Sequence, residues 1–221
     1  MADGCLRLWE MAIQGAPVSV DPNFPDGAAA ETLAWVDRAV IGLNLCPFAR
    51  AVRAKKQLRC VVSAATDAEA LLRTLCAEAQ YLLDTDASAC DTTLLVHPQV
   101  LQDFGDYNDF LDVAEAALAE MGCDGELQLA TFHPDYQFAG TEPDDLTNAT
   151  NRSPYPTLHL LREASIDRAV QAFPDAEAIY EVNLRTMASL GSAGWQALQA
   201  QCRRDAIEAA SPPASASTVA L

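Results

Sequence analysis

Two histidines occupy matching places at the ends of two predicted strands. His97 ends the strand 92–98 in the segment LLVHP, and His133 follows the strand 126–132 in the segment ATFHP. If the two strands are parallel, both imidazoles lie at the same edge of the sheet, where open α/β sheets bind their ligands. Imidazole titrates near neutral pH, so this placement is typical of a general acid or base. Asp135 could orient the His133 ring, although a turn closed by its own side chain is the simpler interpretation.

Cys46 is a candidate nucleophile in the segment LCPFAR, residues 45–50. If Pro47 starts a new helical turn, Cys46 caps that turn, and the positive end of the helix lowers the pKa of the thiol. If Cys46 instead ends the preceding helix, the dipole has the opposite sign and the thiol is structural. The seven cysteines are scattered without a Cys-x-x-Cys pair, which indicates neither a disulfide framework nor a structural zinc site.

The segment 133–156 is long and irregular, and it separates two predicted strands. Loops of this length are uncommon in compact domains unless they are functional or disordered. We predict a functional loop, with a structural flap as the alternative. The candidate substrate-binding residues are Tyr136, Asn148, Asn151, Arg152 and Tyr155, together with Arg162 at the end of the next strand. Arg162 could bind a carboxylate in two-pronged fashion or pair with a neighbouring acid.

A third histidine, His159, lies inside the strand 157–162, so the pleat decides which face of the sheet it takes. Together with His97 and His133 it could supply three metal ligands and leave an open position. The spacing matches no compact metal motif, so a metal site is the weaker alternative to a site without metal. The chain has no glycine-rich nucleotide motif, and the sequence leaves the cofactor unknown.

The elements that must position these residues alternate along the chain. The helical patterns cover 28–44, about 67–84, 100–121, 165–172 and a C-terminal pair at about 175–190 and 192–206, and the strand patterns cover 57–63, 92–98, 126–132 and 157–162. This alternation predicts an α/β (or α+β) fold with an about four-stranded, at least partly parallel sheet packed with helices. We expect a loose arm at 1–27, one domain at 28–206 and a disordered tail at 207–221.

The charge balance narrows the range of partners. Thirty-one acidic residues against 14 basic ones give a net charge of −17, and such a surface repels phosphate backbones and anionic lipids. We therefore expect neither nucleic acid nor membrane as a partner. No apolar run approaches the ~20 residues that cross a bilayer, and the first residues lack the pattern of a signal peptide. A cytoplasmic location is the resulting expectation.

Several longer blocks of sequence resemble a bacterial family called domain of unknown function 1415. The blocks are GLNLCPFA (42–49), FHPDYQF (132–138) and TNRSPYP (150–156), and LHLLRE (158–163) fits as well. The resemblance covers residues 31–200 in outline and leaves the two tails outside. It implies no activity, and it transfers no catalytic role to any residue.

Three functions stay open at this point. The favoured one is an enzyme that acts on a small anionic metabolite through a Cys/His pocket, with Cys46 as the nucleophile and with Asn151 and Arg152 holding the substrate. The second is a non-enzymatic binding or assembly factor that presents the aromatic rings of the 133–156 loop to a protein partner. The third is a metal-dependent enzyme with histidine ligands. The first and third imply a small-molecule ligand.

Overall fold

The computed structural model describes residues 26–172 and 176–210 of the chain. The predicted arm at 1–27 lies almost wholly outside these residues, and the predicted tail at 207–221 lies mostly outside them. Within the described residues, no helix combines the length and the apolar character needed to cross a membrane.

Four strands form one mixed sheet, which confirms the predicted fold class. The strands are β1 (Leu58–Val62), β2 (Thr92–Val96), β3 (Leu127–Phe132) and β4 (Thr157–Arg162), in the spatial order β1-β2-β4-β3. β1 and β2 are parallel neighbours, and β4 lies antiparallel between β2 and β3. β3 therefore runs in the same direction as β2 without touching it, and the carboxyl ends of both strands lie at one edge of the sheet.

The predicted helices appear in the predicted order with shifted ends, together with a short helix at 49–54 and a 3-10 helix at 146–151 that were not predicted. They are α1 (Asp26–Trp35), which continues as a π-helical segment (Val36–Ile41), α2 (Ala49–Ala54), α3 (Ala68–Asp84), α4 (Phe104–Glu120), a 3-10 helix (Leu146–Asn151), α5 (Glu163–Ala172) and α6 (Ala176–Ala210). α6 contains the predicted break at Gly191, where φ is 67°. It continues past the expected end at residue 206.

The start of α4 differs from the prediction for a clear reason. The helix was expected from residue 100, but it begins at Phe104. Leu101 has a positive φ of 55°, which no α-helix contains. Asp103 then caps the helix, because its carboxylate accepts from the N–H groups of Gly105 (2.8 Å) and Asp106 (3.1 Å).

The sheet separates two apolar layers. On one face, α3 and α4 pack against side chains such as Leu95 and Leu158. On the other face, α1 and α6 pack against Leu94, with Trp35 and Met187 buried between them. Neighbouring residues of β2 thus point to opposite layers, as the pleat of a strand requires. Every residue of β2 is buried, as expected for a central strand covered on both faces.

Candidate functional site

His97 and His133 contact a common tyrosine at the carboxyl edge of the sheet. The ring of Tyr107 stacks on His97 with the centroids 5.7 Å apart, and it lies 5.1 Å from the ring of His133. Phe104 lies 5.3 Å from His133 and 5.3 Å from Tyr136. We call these five residues the aromatic–histidine cluster. The structure thus brings together the two histidines that follow β2 and β3.

His97 is neutral and keeps one nitrogen without a partner. Its Nδ1–H donates to the carbonyl of Val100 (3.0 Å), which fixes the tautomer because a carbonyl only accepts. The side chain is fully buried, and Nε2 has no hydrogen-bond partner among the described residues. Burial lowers the pKa of His97 to about 4, and the neighbouring His133 adds to that effect.

Both nitrogens of His133 are occupied by the main chain. Nε2–H donates to the carbonyl of Leu101 (3.3 Å), and Nδ1 accepts from the N–H of Asp135 (3.0 Å). Burial lowers the pKa of His133, against the weaker opposing effects of Asp135 and Asp103. The exposed Asp135 therefore contacts the imidazole through its backbone. With both nitrogens bonded, His133 has no free atom for proton transfer in this conformation.

His159 lies on the other face of the sheet, with Phe132 6.0 Å away between ring centroids. The hydroxyl of Thr92 donates to the carbonyl of Leu160 (2.6 Å), so His159 Nε2–H donates to the Thr92 oxygen (2.6 Å). The three histidines therefore do not converge. Within residues 26–172 and 176–210, no group of three or more histidine, cysteine or acidic residues could hold a metal ion. A histidine-ligated metal therefore has no geometric support among the described residues and stays a prediction.

The neighbour of Cys46, Leu45, lies in the apolar layer opposite the aromatic–histidine cluster. The half-buried side chain of Cys46 precedes α2, which starts at Ala49 with Phe48 as the N-cap and no side-chain cap. Of the two alternatives considered for Cys46, the N-cap is therefore not the observed one, because the helix begins three residues later. Leu45 packs in the layer of α1 and α6. These contacts do not bring the thiol to His97.

Backbone geometry accounts for part of the GLNLCPFA block. A side chain on Gly42 would place its Cβ 2.2 Å from the carbonyl oxygen of Arg38, so only glycine fits at the end of the π-helical segment. Asn44 has a positive φ of 55°, a conformation that asparagine tolerates better than most residues. The N–H groups of Leu45 and Cys46 both donate to the carbonyl of Val40. This part of the motif shapes a tight turn.

Asn148 pins the middle of the 133–156 loop. Its side chain is fully buried. Its Oδ1 accepts from the N–H of Phe138 (3.0 Å) and the hydroxyl of Thr141 (2.8 Å), and its Nδ2 donates to the carbonyl of Glu142 (2.8 Å). All three bonds stay inside the loop, so Asn148 offers little to a ligand.

Asn151 ties the 133–156 loop to the edge of the sheet. Its Nδ2 donates to the carbonyl of Thr131 (3.4 Å), and its own carbonyl accepts from the N–H of His133 (3.2 Å). Both interactions are internal to the protein. Asn151 therefore serves to hold the loop against β3.

Arg152 is held by carbonyl groups alone. Its Nε donates to Tyr136 O (3.0 Å) and its Nη2 to Pro143 O (2.7 Å). The side chain is half-buried, and no carboxylate pairs with it among the described residues. Other arginines are paired: Arg38 with Asp205, Arg53 with Asp37, and Arg59 with Glu78. Arg152 therefore combines a fixed position with an unneutralised charge and spare N–H donors.

Arg162 also bonds to carbonyls, but for a structural reason. Its guanidinium donates to the carbonyls of Leu82, Thr85 (2.5 Å) and Cys90 (3.1 Å). Leu82 lies in the last turn of α3, where unpaired carbonyls and the negative end of the helix dipole attract a cation. The predicted pairing of Arg162 with a neighbouring acid is wrong, since these carbonyls take its place.

The two tyrosines predicted to bind substrate have partners within the protein. The hydroxyl of Tyr155 donates to Glu31 Oε2 (3.1 Å), and burial together with Glu31 raises the pKa of Tyr155 to about 12. Tyr136 packs edge-on against Phe138 (5.0 Å between centroids) as well as against Phe104. Sequence reasoning missed Phe104 and the buried Tyr107, although aromatic residues three apart at the start of the helix after β2 were the available signal.

The comparisons with known proteins yield a family without an assigned activity. A family model described as "Protein of unknown function (DUF1415)" matches residues 27–197. No curated protein matches the chain. No solved structure matches it either.

Proposed function

Because this chain belongs to the family DUF1415, whose description assigns no activity, we propose from its geometry that it binds a small anionic metabolite. Arg152 is the group that holds the negative charge of that ligand. The observation that carries the proposal is the half-buried guanidinium that two carbonyls orient and no described carboxylate neutralises.

Arg152 shares with Arg162 a half-buried side chain that only carbonyls bind, but Arg162 bonds to the end of α3 whereas Arg152 bonds within the irregular loop. The chain has 14 basic residues against 31 acidic ones, so a half-buried arginine would be expected to attract one of the many carboxylates. A guanidinium has five N–H donors in a fixed fork. The carbonyls of Tyr136 and Pro143 take two of them, and the remaining donors suit the two oxygens of a carboxylate or a phosphate.

The surroundings of Arg152 support binding without large rearrangement. The 133–156 loop starts at the carboxyl end of β3, the side of an α/β sheet where ligands commonly bind. The buried Asn148 holds the loop in one shape through three side-chain hydrogen bonds. A preorganised loop loses little conformational entropy when a ligand binds, which favours affinity.

The proposal ends at binding and assigns no catalytic step. Both nitrogens of His133 are bonded to the main chain, and burial lowers its pKa. Cys46 lies beside Leu45, which packs on the opposite face of the sheet. The rings of Tyr136 and Phe138 pack against each other, so they are poor anchors for a docked protein.

Replacing Arg152 tests the proposal on the full chain. Benzoate and inorganic phosphate serve as probes, and binding is measured by calorimetry and by the NMR signals of the arginine side chains. We expect Arg152→Gln to weaken binding of the favoured probe about 10- to 100-fold, the range for losing a hydrogen bond to a charged group.

A matched control separates this site from the general loss of one positive charge. Arg168 is exposed on α5 and donates to the hydroxyl of Ser165 (2.8 Å), so Arg168→Gln changes the net charge equally and should leave binding unaltered. Arg152→Lys keeps the charge but loses the fork, and it should bind weakly. Equal affinities in Arg152→Gln and Arg168→Gln would contradict the proposal, as would binding of neither probe to the unaltered chain.

A further inference from the structure

The two edges of the sheet differ in how far the chain itself covers them. At β3, the N–H of Leu127 donates to the carbonyl of Cys123 (2.9 Å), and the carbonyl of Thr131 accepts from Asn151 Nδ2 (3.4 Å). The chain therefore lies beside both ends of β3 and blocks that edge to a further strand. The other edge is β1, whose one strand neighbour among the described residues is β2.

The pairing with β2 fixes which main-chain groups of β1 point away from the sheet. The N–H of Thr92 donates to the carbonyl of Gln57 (3.3 Å) just before the strand, and the N–H of Ser63 donates to the carbonyl of Val96 (2.7 Å) just after it. In a parallel pair, the residues that bond to the neighbouring strand alternate with residues that point away from it. Counting from these two bonds, every second residue of β1 points outward.

Three residues of β1 therefore present free main-chain groups. Arg59 and Val61 bond to β2, whereas Leu58, Cys60 and Val62 turn their main-chain groups outward. Each of these three residues presents one N–H and one carbonyl. Within residues 26–172 and 176–210, none of these groups has a hydrogen-bond partner. This edge can therefore bond to the main chain of a further strand.

Two exposed lysines lie directly before this edge. Lys55 and Lys56 are the only lysines of the chain, and neither forms an ion pair with a described residue. The one charged residue of β1, Arg59, is already neutralised by Glu78 (2.7 Å). The positive charge at the start of the edge is therefore free to attract carboxylates, on a chain whose net charge is −17.

An exposed aromatic ring flanks the edge on the face of α3. The guanidinium of Arg59 lies 4.5 Å from the ring centroid of Tyr81, and this tyrosine is 42% exposed. Cross-strand partners place their side chains on the same face of a sheet. The residue of an added strand that lies opposite Arg59 would therefore come next to the Tyr81 ring and have an apolar surface to pack against.

We propose that β1 binds an extended acidic segment of another protein, which joins the sheet as an antiparallel strand with its carboxyl end beside Lys55 and Lys56. Each outward residue of β1 then exchanges both of its hydrogen bonds with one residue of the segment, so no outward group is left over. Main-chain bonds supply the affinity, and the flanking charges and ring select the sequence. The strand β1 of a second copy is a poorer occupant, because it contains no acidic residue. The site shares no residue with the one proposed around Arg152.

A synthetic peptide tests the proposal on the full chain by calorimetry. The probe alternates valine and threonine over five residues and ends in two glutamates, so that its valines oppose Val62, Cys60 and Leu58 and its glutamates reach the lysines. We expect a dissociation constant below about 1 mM, which should rise with salt because ions screen the charge attraction. The same peptide ending in two lysines should bind at least about tenfold more weakly. The probe with its three valines N-methylated should also bind at least about tenfold more weakly, because it lacks the N–H groups that bond to β1.

Two matched double variants test the role of the lysines. Lys55→Gln together with Lys56→Gln removes the free charge and should weaken binding of the glutamate peptide about tenfold. Arg168→Gln together with Arg185→Gln makes the same change of net charge at exposed positions of α5 and α6, and it should leave the affinity unaltered. Equal affinities in the two double variants would contradict the proposal. Equal binding of the glutamate peptide and either of its altered forms would contradict it too, as would an unaltered chain that does not bind the glutamate peptide at about 1 mM.

Hydrogen exchange, measured by NMR, locates the bound strand within β1. The amides of Leu58, Cys60 and Val62 should become protected when the peptide is added, whereas those of Arg59 and Val61 should be unchanged because they already bond to β2. Equal changes in all five amides, or a change in none, would overturn the proposal. Protection of the outward amides before any peptide is added would also overturn it, because another segment of the chain would then cover the edge.

Discussion

The aromatic–histidine cluster and the 133–156 loop begin at the same edge of the sheet but use their polar groups differently. In the cluster, both nitrogens of His133 are bonded to the main chain, and His97 is fully buried with a pKa of about 4. In the loop, Arg152 is half-buried and bonded to two carbonyls, with donors to spare. His133 is thus engaged in structure and His97 is shielded by burial, with its Nε2 unpartnered among the described residues, whereas Arg152 keeps donors for a ligand.

This difference shows how a polar side chain should be judged. Most buried polar groups are hydrogen-bonded within the protein, because leaving one unpaired costs about 1–3 kcal/mol; the Nε2 of His97 is an exception. What remains for a ligand is the capacity left after those bonds are made. By that measure Asn148 has little hydrogen-bonding capacity left for a ligand, since its three side-chain bonds all stay in the loop.

The largest expected effect is the loss of the Asn148 side chain. Asn148→Ala removes a fully buried polar side chain and takes away the partner of the Phe138 N–H and of the Glu142 carbonyl. We expect a loss of about 4 kcal/mol in the free energy of unfolding, measured by urea denaturation. Asn108→Ala, at an exposed position of α4, should cost less than about 0.5 kcal/mol. Similar losses in both variants would mean that the loop is not pinned by Asn148.

Arg152 and Arg162 provide the next test of the difference between a side chain used in structure and one free to bind a ligand. Arg162→Gln removes a cation that bonds to the end of α3, and we expect it to cost about 3 kcal/mol in the free energy of unfolding. Arg152→Gln should cost less than about 1 kcal/mol, because the exposed carbonyl of Pro143 can bond to water instead. The same denaturation experiment measures both values. A larger cost for Arg152 than for Arg162 would show that Arg152 is the structural residue of the two.

The fold was largely predictable because its strands and helices carry clear periodicity. The β2 segment TTLLV is buried along its whole length, which a run of apolar and β-branched residues between two turns indicates. The order of the strands was not predictable. The insertion of β4 between β2 and β3 depends on contacts distant in sequence, such as Leu94 with His159, which no local pattern records.

The candidate site was predictable in its location and less so in its roles. The matching positions of His97 and His133 after two strands placed them at one edge, and their contacts with Tyr107 agree with that placement. Of the two alternatives for Cys46, the N-cap is not the observed one, because the helix after Pro47 begins at Ala49 with Phe48 as its N-cap. Hydrogen-bond satisfaction is a property of the folded chain, so the spare donors of Arg152 had no signature in the sequence.

The smallest of the expected effects concerns acid stability and the buried histidine His97. Its pKa is about 4 in the folded chain against an ordinary value of 6.5, so the unfolded chain binds the extra proton as the pH falls below about 6.5. The stability that depends on neutral His97 is complete above about pH 6.5, and it is lost progressively toward about pH 4. Between about pH 7 and about pH 5 the loss from this one group is about 2 kcal/mol. His97→Phe keeps a ring against Tyr107 and removes the titrating group. Between about pH 7 and about pH 5, the free energy of unfolding measured by urea denaturation should therefore fall by about 2 kcal/mol less in the variant than in the unaltered chain. Identical pH dependence in the two proteins would show that His97 is accessible to protons, and the cluster would then regain the capacity for acid–base chemistry that its burial denies.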